Sequence, residues 1–414
     1  MVPLPLALHL IVALASIDTT PPRPAAIAPE SVGMSAERLA NIDRVMSRAI
    51  SAGGLPGGAI AVGRQGQVTW QAGYGRLDWG SSTARARAGE TLYDLASLTK
   101  VVATTTAIMI LYEKGKIRLD DPVVKFIPAF AKGGAQKNRI TIRHLLTHYS
   151  GLPAGRDLRR ISGGPRGARA AVIRTSLESS PGEEFTYSDI GADILGFVVE
   201  AASGEKLDVF LTKRVYRPLG MRNTSFRPAS SKRGRAAATG VSPARGVLQV
   251  HDGNARALGG TAGHAGLFST ASDLAIFARM MLSGGTYNGV RIVSDSTVAL
   301  FTARTAGWRA LGWDTCSGGG SCGHFMSRRA YGHTGFTGTS IWIDPDREIF
   351  VIVLSNWVNL APERRSLPWA VISDVRADVA DIAASAVVDV PEPLAALTML
   401  RADRAIGWNA LNRE

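Results

Sequence analysis

Cysteine is nearly absent from this chain: its 414 residues include two, Cys316 and Cys322, in one Gly/Ser-rich stretch. Two thiols cannot complete a structural zinc site, and neither sits in a catalytic cysteine signature. In an exported protein they could pair and staple their loop; in a reducing compartment they would be free thiols. No apolar run reaches the ~18–20 residues of a membrane-spanning helix. Acidic side chains are the minority, 34 against 47 basic, for a formal charge of +13. Much of the excess is local, in Arg156, Arg159, Arg160, Arg166, Arg169 and Arg174. No aromatic residue lies among them, so the stacking partners of a nucleic-acid site are missing. The stretch reads as a solvated loop, with a basic lip attracting anionic substrate as the alternative.

Two further absences narrow the chemistry. His144 and His148 have zinc-protease spacing, but Leu145 stands where the general-base Glu belongs, so both read as structural. Leu258 to Ser269 (LGGTAGHAGLFS) ends in no Gly-Lys-Ser/Thr and matches no dinucleotide fingerprint. Its glycines suggest backbone that approaches something closely. No metal, organic cofactor or nucleic-acid partner is expected.

Leu4 to Ala15 is apolar and ends Ala13-Leu14-Ala15, a small-x-small pattern. Residues 1–16 read as a secretory signal peptide, implying export to a periplasmic or extracellular place; a frayed terminus is the alternative. Residues 17–29, with Pro21, Pro22, Pro24 and Pro29, read as an extended linker. Ser35 caps a predicted helix to Ile50, and Gln65-Gly66 joins two strands, Ala59 to Arg64 and Gln67 to Tyr74. Within Pro181 to Glu200 a helix is predicted on Ile190, Ile194, Leu195, Phe197, Val198 and Val199, with Tyr187-Ser188-Asp189 in the loop just before it. Further helices are predicted over Leu207 to Tyr216 (closed by Pro218), Ala271 to Leu282 and Trp369 to Val388. Strands Ser340 to Ile343 and Ile349 to Ser355 flank the turn Asp344-Pro345-Asp346-Arg347. Strands and a helix lie early, helices fill the middle, and strands and a helix close the chain. That order fits an α/β (α+β) layer built from both ends with a helical insert.

The chemistry gathers at Ser97-Leu98-Thr99-Lys100. Leu98, Val101, Val102, Thr105, Ile108, Met109 and Tyr112 recur at helical steps, placing Ser97 at a helix N-terminus and Lys100 one turn on. A serine nucleophile needs an adjacent base. Lys100 can serve if burial lowers its pKa from ~10.4 toward ~7–8. Ser203-Gly204-Glu205-Lys206 repeats the spacing but reads as a turn, with Gly204 ending a helix. Gly319 to Gly323 matches G-x-S-x-G around Ser321, without the strand and helix that motif needs.

Ser97-x-x-Lys100, then Tyr187-Ser188-Asp189, then His333-Thr334-Gly335 resembles the penicillin-recognising serine hydrolases, whose set is S-x-x-K, S-D-N and K-T-G. The tyrosine form of the middle motif is similar to class C β-lactamases, DD-peptidases and related esterases. The stretches HLLTHYSGLP and AGHAGLFSTASDLAIFARMM resemble the same branch, and the likeness runs from about Ile27 to about Val388. It implies a β-lactamase/transpeptidase-like fold: an antiparallel sheet flanked by N- and C-terminal helices, plus a helical subdomain. The domain would span 30–390, its α/β part about 30–100 and 310–390, its helical part about 101–309, with 391–414 a tail. It implies Ser97 as acylated nucleophile, Lys100 and Tyr187 sharing its proton, and His333 in the same network, neutral or cationic. Backbone N–H groups of Ser97 and Phe336 would form the oxyanion hole, while Asp189, Thr334 and Gly335 would meet substrate. His333 replaces a lysine and Asp189 an asparagine, which favours carboxylic esters or peptide-like amides over efficient β-lactam hydrolysis. A β-lactamase or DD-peptidase, and a non-catalytic penicillin-binding sensor, are the alternatives.

Overall fold

A computed structural model describes residues 26–80, 82–359 and 370–403. The predicted signal peptide and most of the predicted linker lie outside the described residues. In chain order the strands are β1 (Gly57–Arg64), β2 (Gln67–Gly75), β3 (Tyr93–Asp94), β4 (Ser225–Phe226), β5 (Leu267–Ser269), β6 (Thr286–Tyr287), β7 (Val290–Arg291), β8 (Asp314–Thr315), β9 (Tyr331–Gly335), β10 (Thr339–Asp344) and β11 (Ile349–Ser355). Six form an antiparallel sheet in the order β2-β1-β11-β10-β9-β8. β3, β5 and β4 make a small second sheet, and β6 pairs with β7. Gln65 and Gly66, both at positive φ, close the β1–β2 hairpin, the backbone a two-residue turn requires.

Both faces of the main sheet are covered. Ile60, Val62, Val351 and Val353 pack with Ile42, Val45, Val375 and Val379 of the helices Asn41–Ser51 and Ala370–Ser385. Ala59, Ala61, Ile352 and Leu354 face the larger core built from the central helices. Alternate residues of a strand enter opposite cores, so β1 and β11 read as continuous apolar runs. This is the predicted architecture. The helix predicted from Ser35 does start on that serine, which accepts the Arg38 N–H, but it bends at Ala40 into two pieces. Leu400 and Ala402, in the stretch read as a tail, are buried, and Arg401 pairs with Asp378 and Asp381.

Three local expectations are corrected. The helix after Ser97 is not α-helical throughout: Lys100–Thr105 is a π-helix and Thr106–Glu113 an α-helix. Apolar spacing does not separate the two, and polar groups make the difference. Thr106 Oγ1 bonds the Val101 carbonyl at 2.8 Å, and Thr104 Oγ1 reaches across to the Gly263 carbonyl at 2.6 Å. Wide turns of this kind concentrate at functional sites. The arginine-rich stretch contains a helix, Gly164–Arg174, that buries Ala168 and Val172. Arg169 stacks on Phe197 and bonds Glu200 at 2.6 Å. The helix after Leu207 runs past Pro218 and ends at Gly220, because a π turn over Thr212–Tyr216 leaves the ring room.

The remaining motifs fall as read. Gly204 ends the helix Asp189–Ser203 in a left-handed conformation. Ser321 lies in a short 3-10 turn, Gly320–Cys322, and Cys322 is joined to Cys316. In the glycine-rich stretch, a Cβ on Gly263 would overlap the Ala192 carbonyl oxygen. Gly263→Ala should therefore lower unfolding free energy by about 1–3 kcal/mol, measured by urea denaturation; an unchanged midpoint would show that the two backbones are not in contact.

Candidate active site

Ser97 follows β3 by a strained turn. Ala96 has φ 46°, a left-handed conformation uncommon for a residue with a Cβ. The turn is held on both sides. Asp94 Oδ1 accepts the Ala96 N–H at 2.9 Å. Thr337 Oγ1 donates to the Asp94 carbonyl at 2.6 Å, and Thr339 Oγ1 to the Leu95 carbonyl at 3.0 Å. Gly335 packs so closely that a Cβ there would overlap the Leu95 carbonyl oxygen. The β9–β10 hairpin is thus locked to the backbone that presents Ser97.

Lys100 is 4% exposed. Its Nζ donates to Ser97 Oγ at 2.9 Å, forms an ion pair with Asp189 Oδ1 at 2.7 Å, and lies 3.5 Å from the His264 carbonyl. It also stands 4.8 Å above the Tyr187 ring. The expectation that burial lowers its pKa is corrected. Burial does oppose the charge, but the Tyr187 oxygen and the Asp189 carboxylate outweigh it, and the pKa is raised. Asp189 responds in kind: burial would raise its pKa, yet Lys100 and His264 hold it below the usual carboxylate range. The pair is ammonium and carboxylate. Asp189, expected to meet substrate, is engaged with Lys100, with a third of its side chain exposed.

Tyr187 sits between two histidines. His148 ends its helix at φ 62°, and its Nδ1 accepts the Ser188 N–H at 3.0 Å. The His148 and Tyr187 rings lie 4.7 Å apart, and those of Tyr187 and His333 6.0 Å apart. Ser188 caps the helix Asp189–Ser203, accepting the Gly191 N–H. His144 makes a capping box with Thr141. Both histidines of the zinc-like spacing are thus structural. His333 Nδ1 lies 2.7 Å from the Thr334 carbonyl, which can only accept, so Nδ1 carries the proton. Nε2 has no hydrogen-bond partner among the described residues. Burial, with Arg309 and Lys100 nearby, holds the His333 pKa well below its ordinary value, so the ring is neutral.

Arg309 carries no motif and was missed in the sequence. It is 2% exposed and paired with Asp314. Burial pushes its pKa down to about 10, so it remains charged near neutral pH. Burial chiefly holds the pKa of His148 and of His333 well below the ordinary value, and Arg309 adds to that effect on both rings. One signal was available: an arginine set among Trp308, Ala310, Leu311 and Trp313 has to be buried or to carry a task. Arg376 is a second case. Its Nη2 donates to the Gly335 carbonyl at 2.7 Å, which fixes the Gly335–Phe336 peptide plane and points the Phe336 N–H the opposite way. Phe185, Trp308 and Phe336 form an exposed aromatic rim; Phe185 packs on Trp308, and Phe336 stacks on His251. Among the described residues there is no cluster of three or more His, Cys, Asp or Glu fit to hold a metal ion.

Asp94 gives the site a pH signature. It is 2% exposed, and burial pushes its carboxyl up to about 6, against the His251 and Ala96 N–H groups that favour ionisation. The folded protein therefore prefers Asp94 protonated. That stabilisation is complete below the unfolded pKa of ~3.9 and is lost as pH rises through about 6. Between about pH 4 and pH 7, the unfolding free energy of Asp94→Asn should gain on wild type by about 2–3 kcal/mol, read from denaturation at each pH. A difference that stays flat would refute it.

The geometry can be set beside known proteins. The family model described as Beta-lactamase matches residues 42–375. A relative from Escherichia coli O157:H7 named "Putative D-alanyl-D-alanine carboxypeptidase" is 35% identical over 369 residues, covering 79% of this chain and 84% of its own. The octameric penicillin-binding protein homologue from Pyrococcus abyssi superposes with TM-score 0.63 at 24% identity, over 79% of this chain and 75% of that one. EstCE1, a hydrolase with promiscuous acyltransferase activity, superposes with TM-score 0.67 at 24% identity, over 84% and 99%. These two structures share the fold. With its motifs, its sheet and the reach of the family match all in agreement, the chain belongs to the Beta-lactamase family of serine hydrolases.

Proposed function

We propose that this protein cleaves carboxylic esters or peptide-like amides through an acyl-enzyme on Ser97. The observation that carries this is the Lys100 ammonium donating to Ser97 Oγ while paired to Asp189. A charged lysine cannot take the serine proton. That role falls to Tyr187, whose ring lies under the ammonium. As Ser97 Oγ bonds to the acyl carbon, its proton passes to the Tyr187 oxygen, which enters this step as phenolate and leaves it as phenol. The carbonyl oxygen gains negative charge and is met by the N–H groups of Ser97 and Phe336, each worth ~3–4 kcal/mol when aimed at the oxyanion. Collapse breaks the bond to the leaving group, which takes the proton from Tyr187. Water then attacks the acyl-enzyme by the same route and regenerates Ser97.

Substrate class follows from charge. Lys100 is neutralised by Asp189, His333 is neutral, and Arg309 is buried on Asp314. Among the described residues that line the site, none of these cations is left open for a substrate carboxylate, and the rim of Phe185, Trp308 and Phe336 favours apolar groups. A second reading, a DD-carboxypeptidase on cell-wall peptides, draws on the name borne by the Escherichia coli relative. The Cys316–Cys322 bond supports an exported location, since such bonds persist in oxidising compartments.

Ser97→Ala should abolish turnover of p-nitrophenyl esters and the mass shift left by a fluorophosphonate, while Ser321→Ala retains both. The reverse pattern would end the assignment. kcat/KM for a short-chain p-nitrophenyl ester should exceed that for a chromogenic cephalosporin; D-alanyl peptides in the same panel separate the second reading. Lys100→Ala and Tyr187→Phe should each lower kcat by at least ~100-fold, with the double variant little worse than the poorer single. Losses that multiply would show that the two groups act independently.

A further inference from the structure

Behind Lys100 lies a buried histidine that the chemistry above does not use. His264 is 2% exposed. Its Nδ1 is 2.7 Å from Asp193 Oδ1, and its Nε2 is 3.1 Å from Asp252 Oδ1. Asp193 Oδ1 also accepts the Gly263 and His264 N–H groups, and Asp252 Oδ1 accepts that of Ala255. Oxygens that gather several donors are those of ionised carboxylates, which only accept. Each ring nitrogen must then supply the proton of its own bond, and the ring is an imidazolium. The charge agrees with the balance of forces: burial opposes it, and Asp193 and Asp252 together raise the pKa well above the ordinary value.

This loop reaches the nucleophile helix twice, through the His264 carbonyl to Lys100 Nζ and the Gly263 carbonyl to Thr104 Oγ1. The charges alternate inward. Asp193 and Asp252 flank His264, His264 bears on Asp189, and Asp189 pairs with Lys100. On the outer side, Asp252 bears on Asp94, which Arg256 also faces.

We propose that His264, clamped between Asp193 and Asp252, is a positioning residue for the Ser97 chemistry: it fixes the carbonyl that Lys100 faces and sets a positive charge behind Asp189. The inference rests on the reading of Ser97 as nucleophile. It makes two opposite demands. Removing the imidazolium raises the pKa of nearby carboxyls, so the acid limb of activity moves to higher pH. Removing Asp252, with Asp193 still holding the ring, takes a negative charge from Asp189 and Asp94, and the limb moves to lower pH. Both signs are those at Asp189, which faces His264 and Asp252 alike.

The test measures kcat, KM and the rate of Ser97 labelling by a fluorophosphonate, read by intact mass, from acid to neutral pH. His264→Asn keeps a donor toward Asp193 and loses the charge. Its limb should rise by about one pH unit, so that kcat on the limb falls about tenfold while KM stays within about twofold. Asp252→Asn, at a side chain 36% exposed, should shift the limb downward, and it decides alone if His264→Asn does not fold. A merely structural role would move both limbs the same way or neither, and either result overturns the inference. Wild-type protein that takes no label on Ser97 overturns the nucleophile reading, and this inference with it; label with unmoved limbs overturns this inference alone.

Discussion

A buried ammonium governs the geometry of the cleft. An unpaired charge in a protein interior is penalised by several kcal/mol, so Lys100 must be met on every side. Asp189 meets it from the start of one helix, Ser97 from the turn before its own helix, and His264 from the glycine-rich loop. Three segments distant in sequence are held to one point by one cation. The π turn belongs to the same solution. It begins at Lys100 and turns Thr104 to the loop, so loop and helix are tied at two places rather than one.

Stability and the proposed reactivity pull against each other at Ser97. Ala96 occupies a left-handed conformation, and Asp94 is buried where ionisation is disfavoured. Neither would be expected in a chain shaped for stability alone. Both are held by a hairpin that has no freedom of its own, because Gly335 touches the Leu95 carbonyl and Arg376 fixes the Gly335 carbonyl from the outer helix layer. The main sheet thus carries rigidity from the C-terminal helix to the serine. This is how a sheet built from the two ends of the chain holds a serine that lies outside it.

The fold was legible in the sequence because its signals are local. The Gln65-Gly66 hairpin, the Ser35 cap and the Gly204 stop each depend on a few neighbouring residues. The motif residues were legible too, and the structure brings Ser97, Lys100, Tyr187 and His333 together. Their charge states were not. The Lys100 charge turns on whether Asp189 points at it or at substrate, and no spacing rule reports that direction. His264 escaped for a related reason, its partner Asp193 being 71 residues away. Arg309 escaped although Asp314 is near in the chain, because no motif marks it. The arginine-rich helix was misread because exposed charges dominated the composition, while two small buried residues, Ala168 and Val172, decided the structure.

The two departures from the family pattern make sense together. Lysine to histidine at His333 removes one positive charge, and asparagine to aspartate at Asp189 adds one negative charge. Made alone, the second change would leave a carboxylate uncompensated beside the nucleophile, but here Lys100 absorbs it. Made alone, the first would leave Lys100 free to bind anions; here Asp189 occupies it. The result is a proposed nucleophile surrounded by paired charges, with Arg309 compensated by Asp314 and His264 flanked by two carboxylates. Such an arrangement neither draws in anionic substrates nor repels neutral ones. On the proposed reading, selectivity then falls to shape and to the aromatic rim.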